Sequence, residues 1–189
     1  MVLGNIELII GPMFAGKTTL LIDKYNELSK TDRCLAINYA LDKRYGEGKI
    51  VTHDGLSIDC ICIESFEEIA TNEKYLALIN EATYIFINEA QFFKHLKNWV
   101  LYVTQVLHKN VSMCGLDWDF KREPFGELMD LVKYATTVHN LTGTCDTENC
   151  LNPSSYSHRV VKNDKQVLIG GTDAYVPLCG ECYNKANKE

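Results

Sequence analysis

The sequence predicts an α/β fold, a parallel sheet with helices on both faces, followed by a small module of different character. Three observations predict it. Apolar runs of strand length alternate with segments of helical periodicity, a turn with the pattern G-x-x-x-x-G-K-T separates the first strand from the first helix, and the composition changes near residue 142 to Gly, Asn, Ser, Pro and paired Cys. Parallel neighbours need crossover connections, and crossovers cover both faces of a sheet.

The strands are expected at 6–10, 34–39, 84–87, 111–116 and 136–141, short runs of strand length that read as buried. Helices are expected at 17–30, with Leu20, Leu21, Tyr25 and Leu28 on one side, and at 66–81, 92–109 and 124–134. Ser65 stands three residues before Glu68, as in a capping box, and Pro124 suits a first helical turn because its missing N–H loses nothing there. The division predicted is 1–141 for a nucleotide-binding α/β domain and 142–189 for a module too small to bury a core of its own.

The chain has 189 residues, of which 46% are hydrophobic and 23% charged, so it carries enough apolar material for one domain with an appendage. A net charge of −6 argues against nucleic acid as a direct partner. Glu7 interrupts the first apolar run, which has no basic residues before it and so reads as a strand, not an export signal. No run approaches the roughly 18 to 20 apolar residues that span a bilayer, so no membrane role and a cytoplasmic location are expected. In that compartment thiols stay reduced, and paired cysteines become metal candidates.

Gly11, Pro12, Met13, Phe14, Ala15, Gly16, Lys17 and Thr18 satisfy the phosphate-loop pattern with a strand before and an amphipathic helix after. Glycines let the backbone turn its N–H groups toward a polyphosphate, Lys17 neutralises the β and γ phosphates, and Thr18 offers a hydroxyl to Mg²⁺. The reading is a P-loop NTPase (RecA-like) sheet that binds ATP. Such a loop alone does not distinguish switch, motor, transporter ATPase and small-molecule kinase. Glu89 follows the strand 84–87, where such folds present an acid to Mg²⁺ or to a nucleophile, and it is the leading catalytic candidate against the alternative of a solvated helix cap. Asp42, Lys43 and Arg44 form a further polar cluster after the second strand.

Of eight cysteines, Cys145 and Cys150 are spaced C-x4-C, and Cys179 and Cys182 are spaced C-x2-C. Two such pairs about 30 residues apart suit a closed Cys₄ zinc site of structural type. The early cysteines, Cys34, Cys60, Cys62 and Cys114, lie in or beside apolar runs and read as inert buried thiols.

Taken in order, GPMFAGKTT at Gly11, DKRY at Asp42, THDG at Thr52, NEAQFF at Asn88, LDWDF at Leu116, KREPFG at Lys121, the first cysteine pair, IGGTDAY at Ile169 and the second pair resemble the type II thymidine kinases, the cytosolic zinc-containing group. The likeness runs from about residue 5 to residue 185. It implies transfer of the ATP γ-phosphoryl group to the 5′-hydroxyl of thymidine, with deoxyuridine as a second substrate. Glu89 is then the base for that hydroxyl, and Asn88 and Gln91 join the phosphate loop and Asp42, Lys43 and Arg44 around the nucleotide. The resemblance further implies a lasso loop from Tyr156 to Tyr175. Backbone of Gln166, Val167, Leu168, Ile169 and Gly170 meets the base, Tyr175 meets the deoxyribose end, and Met13, Phe92, Leu116 and Phe120 wall the base. The zinc site pins the loop's feet, and a homotetramer is expected by likeness.

Two features depart from the family pattern. Its usual Asp-Glu pair is Asn88-Glu89 here, which removes one charge near Mg²⁺, and the first cysteine pair is wider than the family's usual C-x2-C. Two other readings stay open: a kinase of another nucleoside, and a nucleotide-dependent regulatory protein whose zinc module recruits a partner.

Overall fold

A computed structural model describes residues 3–42, 46 and 48–188. In chain order it shows β1 (Ile6–Ile10), α1 (Lys17–Leu28), β2 (Cys34–Tyr39), the hairpin β3 (Lys49–Val51) and β4 (Ser57–Asp59), β5 (Ile61–Ile63), α2 (Glu67–Thr71), α3 (Glu73–Glu81), β6 (Tyr84–Ile87), α4 (Leu96–Gln105), β7 (Asn110–Gly115) and β8 (Thr137–Asn140). Six of these strands form one parallel sheet in the order β5-β2-β6-β7-β1-β8. The predicted α/β fold is the observed one.

The pleat sends alternate residues to opposite faces, and each face finds its own cover. Ile6, Leu8, Ile10, Ile85, Ile87 and Met113 pack under α2, α3, α4 and a 3₁₀ segment (Leu128–Tyr134), while Ile9, Ala36, Phe86 and Cys114 pack under Leu21 and Ile22 of α1 and under Ile50 and Ile58 of the hairpin. Glu7 breaks the apolar run on this second face without being stranded. It pairs with Lys24 of α1 at 2.8 Å, lies 2.8 Å from His139 Nε2 and accepts the Ser112 hydroxyl at 2.9 Å. Burial works to raise its carboxyl, but Lys24, His139 and Ser112 together hold it below the ordinary carboxylate value.

Several expected boundaries move, each for a local reason. The helix expected at 66–81 is broken in two, because the Asn72 side chain accepts the N–H groups of Lys74 and Tyr75 and starts α3 afresh. Of the expected capping box, the Glu68 carboxylate takes the Ser65 N–H, while the Ser65 side chain caps nothing in α2. Pro124 does not open a helix; it bridges Trp118 across a turn, and regular structure resumes only at Leu128, as a 3₁₀ segment. The helix expected at 92–109 starts at Leu96, because His95 adopts a left-handed conformation (φ 59°) and separates it from a short 3₁₀ turn at Ala90–Phe92. Of the early cysteines Cys114 alone is enclosed; Cys34, Cys60 and Cys62 are half-buried, so the expectation of inert buried thiols holds only for Cys114.

After β8 the chain leaves the sheet and makes two small antiparallel pairs, β9 (Gly143–Thr144) with β10 (Pro153–Ser154) and β11 (Tyr156–Arg159) with β12 (Tyr175–Leu178), then α5 (Gly180–Ala186). Among the described residues the buried apolar set here is Cys145, Ala174, Tyr175, Leu178, Cys179 and Tyr183, far less than a free-standing domain needs. No described helix is long and apolar enough to cross a membrane.

Candidate active site

The carboxyl ends of β1, β6 and β7 open on one cavity of about 330 Å³, the usual place for a ligand in an open parallel sheet. From β1 the chain enters the phosphate loop. Gly11 takes φ 140°, and a Cβ there would stand 2.2 Å from the Leu141 carbonyl oxygen, so only glycine fits. Gly16 adopts a left-handed conformation (φ 80°) at the start of α1, with no side-chain cap and no acidic residue in the first turn. A helix start without a side-chain cap or an acidic first turn suits an anion. Lys17 donates to the Pro12 carbonyl at 2.6 Å, closing the loop, and the Thr18 hydroxyl donates to Asn88 Oδ1 at 3.3 Å.

Asn88 is buried at the end of β6, where three neighbours orient it. Its amide donates to Asn38 Oδ1 at 2.9 Å, which turns its carbonyl oxygen toward Thr18 and toward the Cys114 thiol, a donor at 3.0 Å. Burial, reinforced by the nearby Glu89 charge, pushes that thiol up to about 12, so it stays a donor at neutral pH. Glu89 itself has φ 54°, a left-handed conformation that costs a non-glycine residue about 1–3 kcal/mol and concentrates at functional sites. The bend aims its carboxylate into the cavity mouth, where Gln91 Nε2 donates to it at 2.7 Å. The same Gln91 accepts the Leu116 N–H at 3.1 Å, tying the acid to the end of β7.

Of the residues predicted for the site, the cavity is lined by Met13, Phe14, Ala15, Gly16, Lys17, Thr18, Asp42, Asn88, Glu89, Gln91, Phe92, Leu116, Leu168, Ile169, Gly170 and Tyr175. Lys43 and Arg44 lie outside the described residues. Gly11 and Pro12 stand behind the loop and shape it without lining the cavity. Gln166 and Val167 are also off the wall; Gln166 turns instead to Asp119, donating to Oδ2 at 2.9 Å. Phe120 is no wall of the cavity: its ring lies under the Arg159 guanidinium, 3.6 Å from the centroid, and the place expected for it goes to Phe125, set edge-on to Phe92 at 5.5 Å.

Other residues escaped sequence reasoning. Thr52, His53 and Asp54, at the tip of the β3–β4 hairpin, line the phosphate side of the cavity. Ser157 of β11 accepts the Met13 N–H at 2.9 Å across a separation of 144 residues, fastening the phosphate loop to the late module. Arg159 is 7% exposed and sits at the centre of the 160–174 loop. The string THDG was a signal for the hairpin tip; Ser157 and Arg159 carried none, because a lone serine or arginine in a polar stretch reads as solvated surface.

The four late cysteines converge as expected. Four thiolates held at about 2.3 Å from a tetrahedral ion stand about 3.8 Å apart. Cys150 Sγ lies 3.8 Å from both Cys179 Sγ and Cys182 Sγ, and all four sulfurs lie within 4.8 Å of one another. The wide first pair closes because Asn149 adopts a left-handed conformation (φ 60°), while Cys150 N–H donates to Thr147 O at 3.0 Å. These four side chains could hold a metal ion.

A family model described as thymidine kinase matches residues 4–183. The chain is 40% identical over 190 residues to a thymidine kinase of Bacteroides fragilis strain YCH46, covering 98% of this chain and 90% of that protein. It is 37% identical over 187 residues to the thymidine kinase of Yaba monkey tumor virus, covering 97% of each. A thymidine kinase of Oryza sativa subsp. japonica is 37% identical over 185 residues, covering 95% of this chain and 66% of that protein.

Proposed function

This chain belongs to the thymidine kinase family, and from that premise we propose that it transfers the γ-phosphoryl group of ATP to the 5′-hydroxyl of thymidine, with deoxyuridine as a second acceptor. The observation that carries the proposal is a single cavity lined by the phosphate loop, Glu89 and residues 168–170 together. A kinase needs these three together; a nucleotide switch needs only the first.

In this reading the phosphate loop and the start of α1 bind the polyphosphate. Lys17 releases the Pro12 carbonyl to counter charge on the transferring group. Glu89, held by Gln91, accepts the proton of the 5′-hydroxyl, a weak nucleophile that needs a positioned base. The thymine ring lies against Met13, Phe92, Leu116 and Phe125, while the backbone of residues 168–170 reads its polar edge and the narrow wall excludes purines. The oxygens of Thr18 and Asn88, a hard donor pair, suit Mg²⁺, which when bound neutralises charge on the phosphates. Cys145, Cys150, Cys179 and Cys182 would hold a structural Zn²⁺ that joins the two ends of the second module, residues 142–189, to each other, while Ser157 fastens that module to the nucleotide-binding part, residues 1–141. A homotetramer and a cytoplasmic location belong to the same reading and rest on family likeness.

A panel of nucleosides assayed with Mg²⁺-ATP tests the reaction: ADP release should depend on thymidine or deoxyuridine. Nucleoside-independent hydrolysis would favour a regulatory protein, and release dependent on another nucleoside a kinase of different specificity. A second measurement bears on Asn88. It orients a cation ligand without adding charge, so Asn88→Asp should lower the Mg²⁺ concentration for half-maximal activity a few-fold and leave turnover at saturating Mg²⁺ nearly unchanged. A large rise in saturated turnover would show that the missing charge limits the chemistry itself.

A further inference from the structure

Arg159 is a cation in a place that should exclude one. It is 7% exposed, its guanidinium lies 3.6 Å from the centroid of Phe120, and its N–H groups are spent on neutral oxygens. Nη1 donates to the carbonyls of Asn163, at 2.7 Å, and Lys165. Nη2 donates to the Gln166 carbonyl at 2.9 Å and to the Tyr175 hydroxyl at 2.6 Å, and Nε donates to the same hydroxyl at 3.1 Å. Tyr175 passes the constraint on, its own hydroxyl donating to the Leu168 carbonyl at 2.8 Å.

We propose that Arg159 is the positioning residue that shapes the nucleoside-binding loop, acting through these carbonyls and Tyr175 on the backbone that meets the base. The inference rests on the thymidine kinase reading of the cavity. A peptide unit is planar, so a carbonyl held in one direction fixes the following N–H in the opposite one. Fixing the oxygens of Lys165 and Gln166 therefore sets the path by which the chain enters the cavity wall at 168–170, and fixing that of Leu168 aims the Ile169 N–H, whereas a free loop would lose that order to entropy on every encounter with substrate.

The metal cluster does not do this alone. In the β11–β12 ladder Tyr156 is opposite Leu178, next to Cys179, and Arg159 is opposite Tyr175. The cluster thus holds one end of the ladder, and Arg159 holds the loop at the other, about 10 Å away along the strand. Lysine cannot substitute, since one ammonium lacks the planar fork that reaches three carbonyls and a phenol together.

The test is steady-state kinetics of Arg159→Lys and Tyr175→Phe, varying thymidine and ATP separately, with thermal unfolding and zinc content as controls of fold. Arg159→Lys should raise the thymidine KM by about tenfold or more, as expected for loss of charge-assisted hydrogen bonds, and leave the ATP KM within about twofold. Tyr175→Phe should shift the same constant in the same direction by a smaller factor. A folded Arg159→Lys enzyme with an unchanged thymidine KM, or with both KM values raised alike, overturns the assignment. If Arg159→Lys does not fold, Tyr175→Phe decides: an unchanged thymidine KM overturns the proposal. Wild-type protein that phosphorylates no thymidine would instead overturn the functional reading on which the proposal stands.

Discussion

Replacing Glu89 by glutamine should leave ATP binding intact and lower thymidine phosphorylation by about 10² to 10⁴-fold, the range associated with a positioned general base. Glutamine matches glutamate in shape, and its carbonyl oxygen can still accept the Gln91 amide that reaches Glu89 at 2.7 Å, so the geometry survives while proton acceptance is lost. The left-handed backbone at Glu89 is unaffected by the change, since both side chains branch alike beyond Cβ. Turnover with saturating thymidine, alongside a dissociation constant for ATP, checks the prediction. Activity within a few-fold of wild type would remove Glu89 from the role of base.

Removal of the metal should have the largest effect on stability. Among its described residues the late module buries just six apolar side chains, Cys145, Ala174, Tyr175, Leu178, Cys179 and Tyr183, too few to offset the entropy of ordering the chain from Gly143 to Ala186. In small metal-built modules the binding free energy, about 10–16 kcal/mol in zinc-finger peptides, is folding free energy. Purified protein should therefore hold about one zinc per chain. A strong chelator or Cys182→Ser should melt the 143–186 region and abolish thymidine binding before ATP binding, because the phosphate loop is built on β1 and α1. Metal analysis with thermal unfolding followed by hydrogen exchange would register this. Protein with no stoichiometric zinc, or one whose late module keeps its exchange protection without metal, contradicts the assignment.

These two sites were legible in the sequence to different degrees. Spacing alone suggested the cysteine cluster, because ligands close together in sequence come from one turn and two turns suffice. Yet the wide first pair closes only through the left-handed Asn149, which spacing does not reveal. Glu89 was legible as an acid after a strand, but its strained backbone and its tether to Leu116 through Gln91 were not. Phe120 shows the limit of reading by likeness: an aromatic residue in the right segment serves as a platform for a buried arginine, and Phe125 takes its place at the cavity.

The strands at Ile6–Ile10, Cys34–Tyr39 and Tyr84–Ile87 could be read from the chain because strands buried on both faces are mostly apolar, interrupted in these three only by Glu7 and Asn38. The hairpin β3–β4 and strand β5, three residues each, were too short to show a period. Composition and local pattern thus determined the α/β class, the phosphate loop and the cysteine ligands, since each rests on residues near one another in sequence. Tertiary structure alone decided that Ser157 would hold Met13 and that Arg159 would sit buried among loop carbonyls. The physical reason is that a hydrogen bond depends on distance and direction in space. A serine 144 residues from its partner, or an arginine enclosed by a loop that has not yet formed, leaves no periodic mark on the chain.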